Sequence, residues 1–307
     1  MNNSTDMLLQ IDEVERIAGL SKIKRLINNP YKYISAVLFR RFIYPITKKE
    51  KLVTATLFYN KKMQIALPAS TDIYLTGGKS HDSEIRLAKF IITHLKSGDH
   101  FLDIGAHFGY FTLLTSELIG NEGLIYAFEP SDKSYQILNE NCKNLKQVTT
   151  FQKAVAETNA PLVFYEFPNL QSEYNSFDID QFKNEKWFES SKPIKIEVVA
   201  TTIDEITIGN LFSPQIIKID VEGGEFKVIS GGVNYFKNYA PIIVLEYLEP
   251  KRYNANHKKA IELLVCLNYA PNIITQNGQL ATIENIDEYL LKNNLESDNI
   301  VFKKKMG

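Results

Sequence analysis

The chain has 307 residues, 44% of them hydrophobic and 23% charged, an ordinary globular composition that excludes a mainly disordered or fibrous protein. The length suits two domains, or one large α/β domain carrying an extension. A net charge of −1 conceals an asymmetry: between Lys22 and Lys62 eleven Lys and Arg stand against the one acid Glu50, so that segment carries +10 and the rest −11.

Two cysteines, Cys142 and Cys266, are too few for a disulfide scaffold or a multi-cysteine zinc site, and a reducing, cytoplasmic setting is expected. The first twenty residues hold Asp6, Asp12, Glu13 and Glu15 and lack a basic stretch leading into an apolar run, so no secretory signal is expected. The longest apolar runs, such as Tyr33–Phe39 and Ala240–Leu245, fall short of the roughly 20 residues that span a bilayer. The expectation is a soluble protein, at most peripheral at the inner face of a membrane.

In chain order, Ile11, Val14, Ile17, Leu20, Ile23, Leu26 and Ile27 recur at three- to four-residue steps and predict one amphipathic helix over Ile11–Ile27. A second helix is expected over Tyr33–Tyr44, with Arg40 and Arg41 embedded. Val53–Tyr59 and Met63–Leu67, separated by Asn60, Lys61 and Lys62, read as a hairpin. The loop Thr76-Gly77-Gly78 then leads into a helix over Asp82–Leu95. These elements divide the chain into a helical and hairpin extension, 1–80, and a main domain, 81–307.

After Gly98 strands and helices alternate. Strands are expected at His100–Ile104, Gly123–Phe128, Thr149–Val155, Gln215–Asp220 and Pro241–Leu245, and helices at Tyr110–Ile119, Ser134–Leu145, Glu225–Tyr239 and His257–Leu267. Pro161–Phe167 and Pro193–Val199 read as an antiparallel pair. The insertion between them carries Tyr174, Phe177, Phe182, Trp187 and Phe188, either a packed flap or a platform on which a sugar ring stacks. Ile273–Thr275 and Asn299–Phe302 would close the sheet. The alternation predicts an α/β fold: a Rossmann-like, mostly parallel sheet with helices on both faces and ligands outside its carboxyl ends.

The most informative stretch is Phe101-Leu-Asp-Ile-Gly-Ala-His-Phe-Gly109. Gly105 and Gly109 permit a sharp strand-to-helix turn, and Asp103 precedes it by two residues. Glu129 ends the next strand, twenty residues past Gly109, where an acid accepts hydrogen bonds from ribose hydroxyls. A dinucleotide site wants a middle glycine for its pyrophosphate, but His107 stands there, and Asp103 repels phosphate while attracting an ammonium. The ligand that fits is S-adenosylmethionine. A second cluster, Asp220, Glu222 and Glu225, follows the run Ile216–Ile219. Like charges at one strand end raise one another's pKa and suggest function, although Glu225 also reads as the first-turn acid of the next helix. The histidines His81, His94, His100 and His257 show no metal spacing and read as surface or packing residues.

These segments, with Phe128-Glu-Pro130, Ala154-Val-Ala156, Thr202-Ile-Asp-Glu-Ile206 and Pro241-Ile-Ile-Val-Leu-Glu246, resemble the FkbM family of S-adenosylmethionine-dependent O-methyltransferases over roughly Glu84–Glu246. The segment Lys218-Ile-Asp-Val-Glu-Gly-Gly-Glu225 is the most specific part. Two positions depart from the family pattern: His107 replaces its usual Asn and Gly224 its usual Ala. The resemblance implies methyl transfer to a hydroxyl group, of a sugar or glycan among other acceptors. Motif and resemblance together give Asp103, Gly105, Ala106, His107, Gly109, Tyr110, Phe111, Glu129, Ala154 and Asp220 as the donor-binding set. Candidate bases are Asp220, Glu222 and Glu246, with Asp220 and Glu222 favoured; the same three acids would be the ligands if Mg²⁺ took part, which the sequence leaves undecided.

A non-catalytic adenosyl-binding or scaffold protein with a basic membrane-docking arm is the alternative from another class. A dehydrogenase would need a turn that tolerates His107. A nucleic-acid partner is not expected, because the region of the site is acidic. The basic segment 22–62 either docks on the core or meets an anionic membrane or a lipid-linked glycan.

Overall fold

The computed structural model describes residues 3–179, 182–183, 185–209, 211–252 and 254–305. The chain begins in α1 (Asn3–Ala18) and restarts in α2 (Lys22–Asn28), where Ser21 Oγ accepts from the Lys24 N–H. The single helix expected over Ile11–Ile27 is therefore two, because Gly19 and a capping serine interrupt a repeat whose apolar spacing continues across the break. α3 (Pro30–Leu38) runs through a π turn, Phe39–Ile43, into α4 (Tyr44–Thr47). The hairpin β1 (Lys51–Thr56) and β2 (Lys62–Leu67) is antiparallel, with Val53 opposite Ile65, and α5 (Thr71–Thr76) leads to α6 (Asp82–His94).

The remaining chain supplies β3 (His100–Ile104), α7 (Tyr110–Ile119), β4 (Leu124–Phe128), α8 (Asp132–Cys142) and β5 (Val148–Phe151). Next come β6 (Ala154–Val155), β7 (Leu162–Glu166), β8 (Ile194–Val198), β9 (Ala200–Thr201), α9 (Ile203–Thr207) and β10 (Ile216–Ile219). The last elements are α10 (Glu225–Ser230), α11 (Val233–Asn238), β11 (Ile242–Leu248), α12 (Ala255–Cys266), β12 (Tyr269–Ile274), β13 (Leu280–Thr282), α13 (Ile286–Asn293) and β14 (Ser297–Lys304).

Eight strands form the central sheet in the order β13-β12-β14-β11-β10-β3-β4-β5. The five from β11 to β5 are parallel, whereas β14 and β12 are antiparallel to their neighbours. The chain moves outward from β3 through β4 to β5, then crosses back to place β10 on the other side of β3. That reversal opens a crevice at the carboxyl ends of β3 and β10. Alternation along the strands feeds two cores: Phe101, Ile216 and Val244 join Leu87, Phe90, Leu113 and Leu114 on one face, and Leu102, Ile217 and Leu245 join Val228, Phe236 and Leu264 on the other. Met7, Ile11 and Val14 of α1 belong to the first core, and Lys89 of α6 binds Asp12 at 2.7 Å and Glu15 at 2.6 Å. Burying such side chains stabilises the docking by about 1.5–3 kcal/mol each.

Three further expectations change. The strand expected over Thr149–Val155 splits after Phe151: β6 leaves the sheet to pair with β9. The helix expected over Glu225–Tyr239 breaks at Gly231-Gly232, where a Cβ on Gly231 would overlap the Ala156 carbonyl and one on Gly232 would lie 2.6 Å from Phe236 Cε2. β13 and α13 were not foreseen, being short elements between the two closing strands. β7 and β8 pair antiparallel as expected, Leu162 opposite Val198.

Candidate active site

The parallel register sets Asp103 beside Lys218 and Ile104 beside Ile219, so the chain leaves β3 at Gly105 directly against the Asp220 backbone. Gly105 has φ +77°, and a Cβ there would overlap the Asp220 carbonyl oxygen. The Gly105 and Ala106 N–H groups both donate to Phe128 O at 3.0 Å, which ties the turn to β4. Lys218 Nζ lies 3.2 Å from Asp220 Oδ2 and 3.5 Å from Asp103 Oδ1. Asp103 is sealed, its side chain 1% exposed, and its Oδ2 accepts from Thr112 Oγ1 at 2.6 Å, whereas the Asp220 side chain is 24% exposed. Burial pulls the Lys218 pKa down, but the two aspartates outweigh it and hold the ammonium above its ordinary value. Burial likewise works against the Asp220 charge, yet Lys218 and Lys79 prevail and keep its pKa low.

At the end of β4, Glu129 accepts from the His107 N–H at 2.9 Å and the Ser131 N–H at 3.0 Å. Burial still pushes its carboxyl up to about 7. Each oxygen keeps a further lone pair for a ligand hydroxyl. His107 has φ +50°, in the left-handed region that Asn and His adopt more readily than most residues, so its exchange for the family's usual Asn preserves the backbone. Its ring stacks on Phe108 with centroids 3.7 Å apart, and Nε2 lies 3.0 Å from Ser172 Oγ. Burial lowers its pKa to about 3, so the ring is neutral.

Asp220, Glu222 and Glu246 each present an oxygen within 4.8 Å of the others. Burial first, then the repulsion of its neighbours, raises Glu222 and takes Glu246 to about 8. Glu225 does not join them. It is 1% exposed, its Oε1 accepts from the Gly223 N–H at 3.1 Å, and Oε2 lies 3.4 Å from His257 Nε2 in the interior. It is the first-turn acid of α10.

A cavity of about 510 Å³ covers these strand ends, within the usual size of small-molecule sites. Of the expected donor-binding set, Gly105, His107, Glu129, Ala154 and Asp220 line it, as do Glu222 and Glu246. Asp103, Ala106, Gly109, Tyr110 and Phe111 are not among the lining residues. Asp103 lies beneath Lys218, and Phe111 offers its ring face to Lys218 and Lys79 at 5.6 and 5.7 Å. Sequence reasoning missed Lys79, Glu84 and Glu173 in the wall and Lys218 beneath it. Lys79 pairs with Glu84 at 2.6 Å, and burial raises Glu173 to about 7. Only Lys218 stood inside a motif; Lys79 and Glu173 come from loops distant in sequence from the strand ends. Carboxylates thus predominate in the wall, facing Lys79, Lys153 and Arg252.

The aromatic insertion is mainly a packed flap. Phe167 and Phe182 are buried, Trp187 stacks on Tyr174 with centroids 4.8 Å apart, and of this group Tyr174 and Phe177 line the cavity. A Cβ on Gly224 would lie 2.6 Å from Phe177 Cδ2, so glycine, where the family usually has Ala, makes room for this flap residue.

A parallel sheet reversing at its first strand, with acids ending β3 and β4 and a cavity at the reversal, defines a Rossmann-like site of the methyltransferase type. The family model described as Methyltransferase FkbM domain matches residues 103–294, and the chain belongs to this family. Its activity class is therefore methyl transfer from S-adenosylmethionine. No curated relative matches the chain. Among solved structures it is similar to the methyltransferase FkbM of Methylobacillus flagellatus (13% identity, 76% of this chain and 52% of that one, TM-score 0.43). It is also similar to an O-methyltransferase of Thermotoga maritima (13% identity, 84% of this chain and 78% of that one, TM-score 0.40) and a precorrin-6y methyltransferase of Geobacter metallireducens (15% identity, 73% and 88%, TM-score 0.39).

Proposed function

We propose that this protein methylates a hydroxyl oxygen, of a sugar or glycan, and that one of the pair Glu222 and Glu246 takes up the acceptor's proton. The observation that carries the reading is the trio of clustered carboxylates on the cavity, two of them held weakly acidic. A hydroxyl is a poor nucleophile and needs a base whose pKa lies near the working pH. Asp220, favoured from the sequence together with Glu222, is engaged by Lys218 and kept a weak base, so proton uptake falls to its two neighbours.

The residues present fit the donor. Gly105 leaves the wall bare beside Asp220, and the buried Glu129 carboxyl, still pushed up to about 7, gains from hydroxyl donors. When bound, S-adenosylmethionine supplies an electrophilic methyl group on a sulfonium cation. Glu129 orients the ribose, the carboxylates favour the positive charge, and His107, tied to Glu129 and Ser172, holds the turn in shape. Holding both reactants at near-attack distance is worth up to roughly 7–11 kcal/mol of barrier.

A divalent cation on Asp220, Glu222 and Glu246 is a second reading, favoured by their mutual spacing. Lys218 already supplies Asp220 with a cation, which supports the metal-free form. Titration calorimetry should show S-adenosylmethionine binding and no NAD binding, and mass spectrometry of candidate glycans should show one added methyl. Binding of NAD in place of S-adenosylmethionine would overturn the reading, and turnover that resists chelators would retire the metal.

A further inference from the structure

We propose that α2–α4 form a docking surface for the anionic face of a lipid bilayer. α2 buries none of its residues, and Ile23 and Ile27 are 71% and 73% exposed. Along the continuous helical run from Pro30 to Thr47, Ala36, Phe39 and Tyr44 are buried, while Tyr31, Ile34, Leu38, Phe42 and Ile46 are exposed at three- to four-residue steps. One helix thus carries two apolar stripes, one spent on the core and the other facing outward.

The cations accompany the outward stripe. Lys22, Lys24, Arg40, Arg41, Lys48 and Lys49 are exposed, and among the described residues none lies within ion-pair distance of a carboxylate. In this segment Lys61 is the described residue that pairs, with Glu117. α1 behaves differently: its Asp12 and Glu15 meet Lys89 where the helix packs. The fold pairs charges where it docks α1, whereas along the arm Arg25 and Lys32 are held by the Leu20 and Tyr74 carbonyls and the six exposed cations stay open. Docking of the whole basic segment on the core therefore does not account for its charge.

Exposed isoleucine, leucine and phenylalanine interleaved with Lys and Arg match the headgroup boundary, where apolar side chains enter the acyl region and cations meet anionic lipid. Duplex phosphate offers the cations partners but gives the aliphatic stripe nowhere to go. A second copy would set like charge against like. The core-facing stripe of the same helical run is tied toward the cavity: Tyr44 Oη accepts from the Leu170 N–H at 3.3 Å, and two residues further on Ser172 Oγ lies 3.0 Å from His107 Nε2.

The test is co-sedimentation of the full chain with vesicles of phosphatidylcholine alone or with about one-third phosphatidylglycerol. Binding is expected on the anionic vesicles only, weakening about tenfold or more between about 50 and about 500 mM salt. The double variant Arg40→Glu/Arg41→Glu and the variant Ile34→Ser/Leu38→Ser should each weaken it about tenfold or more, with circular dichroism and donor affinity unchanged. The wild-type comparison of the two vesicle types decides the matter even if a variant misfolds. No binding at low salt, equal binding to both vesicles, or wild-type binding by folded variants overturns the proposal. So does a dimer in sedimentation equilibrium that the same variants dissociate, or tighter binding to duplex DNA than to the anionic vesicles.

Discussion

Asp103 and Asp220 sit at the ends of adjacent strands and share one cation, Lys218, yet they have different fates. Asp103 is sealed beneath Lys218 and Thr112, while Asp220 keeps a face on the cavity. The first works as a foundation, fixing the lysine that keeps the second ionised. Asp103, two residues before the glycine turn, is thus joined to the site through Lys218 rather than by lining the cavity. Asp220, held by Lys218, stays ionised, while burial and the neighbouring charges, that of Asp220 among them, keep the Glu222 and Glu246 carboxyls raised.

The largest effect should come from removing the shared cation. Lys218→Met leaves Asp103 charged in an apolar interior and should cost about 3–5 kcal/mol, read as a lower midpoint in urea. Adding Asp103→Asn should recover part of that loss; a single variant as stable as the wild type would show that the two acids do not depend on the lysine. Next, Glu222→Gln or Glu246→Gln should lower kcat about 10²–10⁴-fold for whichever carboxylate is the base, with donor affinity by calorimetry nearly unchanged. Full activity in both would end the carboxylate proposal.

The pH dependence follows from the same contrast. Glu246 is protonated below about 8, so kcat/KM should rise with pH and level off above that value, and the rise should shift in Glu246→Gln. A smaller effect is expected at the flap. Gly224→Ala should cost about 1–3 kcal/mol through contact with Phe177, recovered in the double variant with Phe177→Leu, as read by thermal melting.

The smallest effect concerns stability. Glu246 is raised in the folded state, which therefore binds more protons than the unfolded chain between the ordinary Glu value and about 8. Stability should fall as pH rises through that window. Glu246→Gln should reduce the fall, seen as a melting difference that grows with pH.

The alternation of apolar runs with amphipathic repeats made the five parallel strands legible, because buried strands such as Ile216–Ile219 admit few other residues. Element breaks were hidden where apolar spacing continues across a glycine, as at Gly19 and Gly231, since close packing and capping decide those positions. At the site, motifs pointed to the residues of the strand ends: Gly105, Glu129, Asp220, Glu222 and Glu246. They did not separate lining from foundation, so Asp103 and Lys218 could be assigned only once strand register set them side by side. Lys79 and Glu173 reach the cavity by tertiary folding alone, from loops without periodicity or motif.

The carboxylate-rich wall has a consequence for turnover. Three of its acids, Glu129, Glu173 and Glu246, are pushed up by burial to about 7 to 8, into the range of neutral pH. A sulfonium donor carries one more positive charge than its demethylated product. A cation bound at the wall would favour its ionised form, and a neutral ligand its protonated form. A wall of such acids would act as a charge buffer, tuned to tell a cationic ligand from a neutral one.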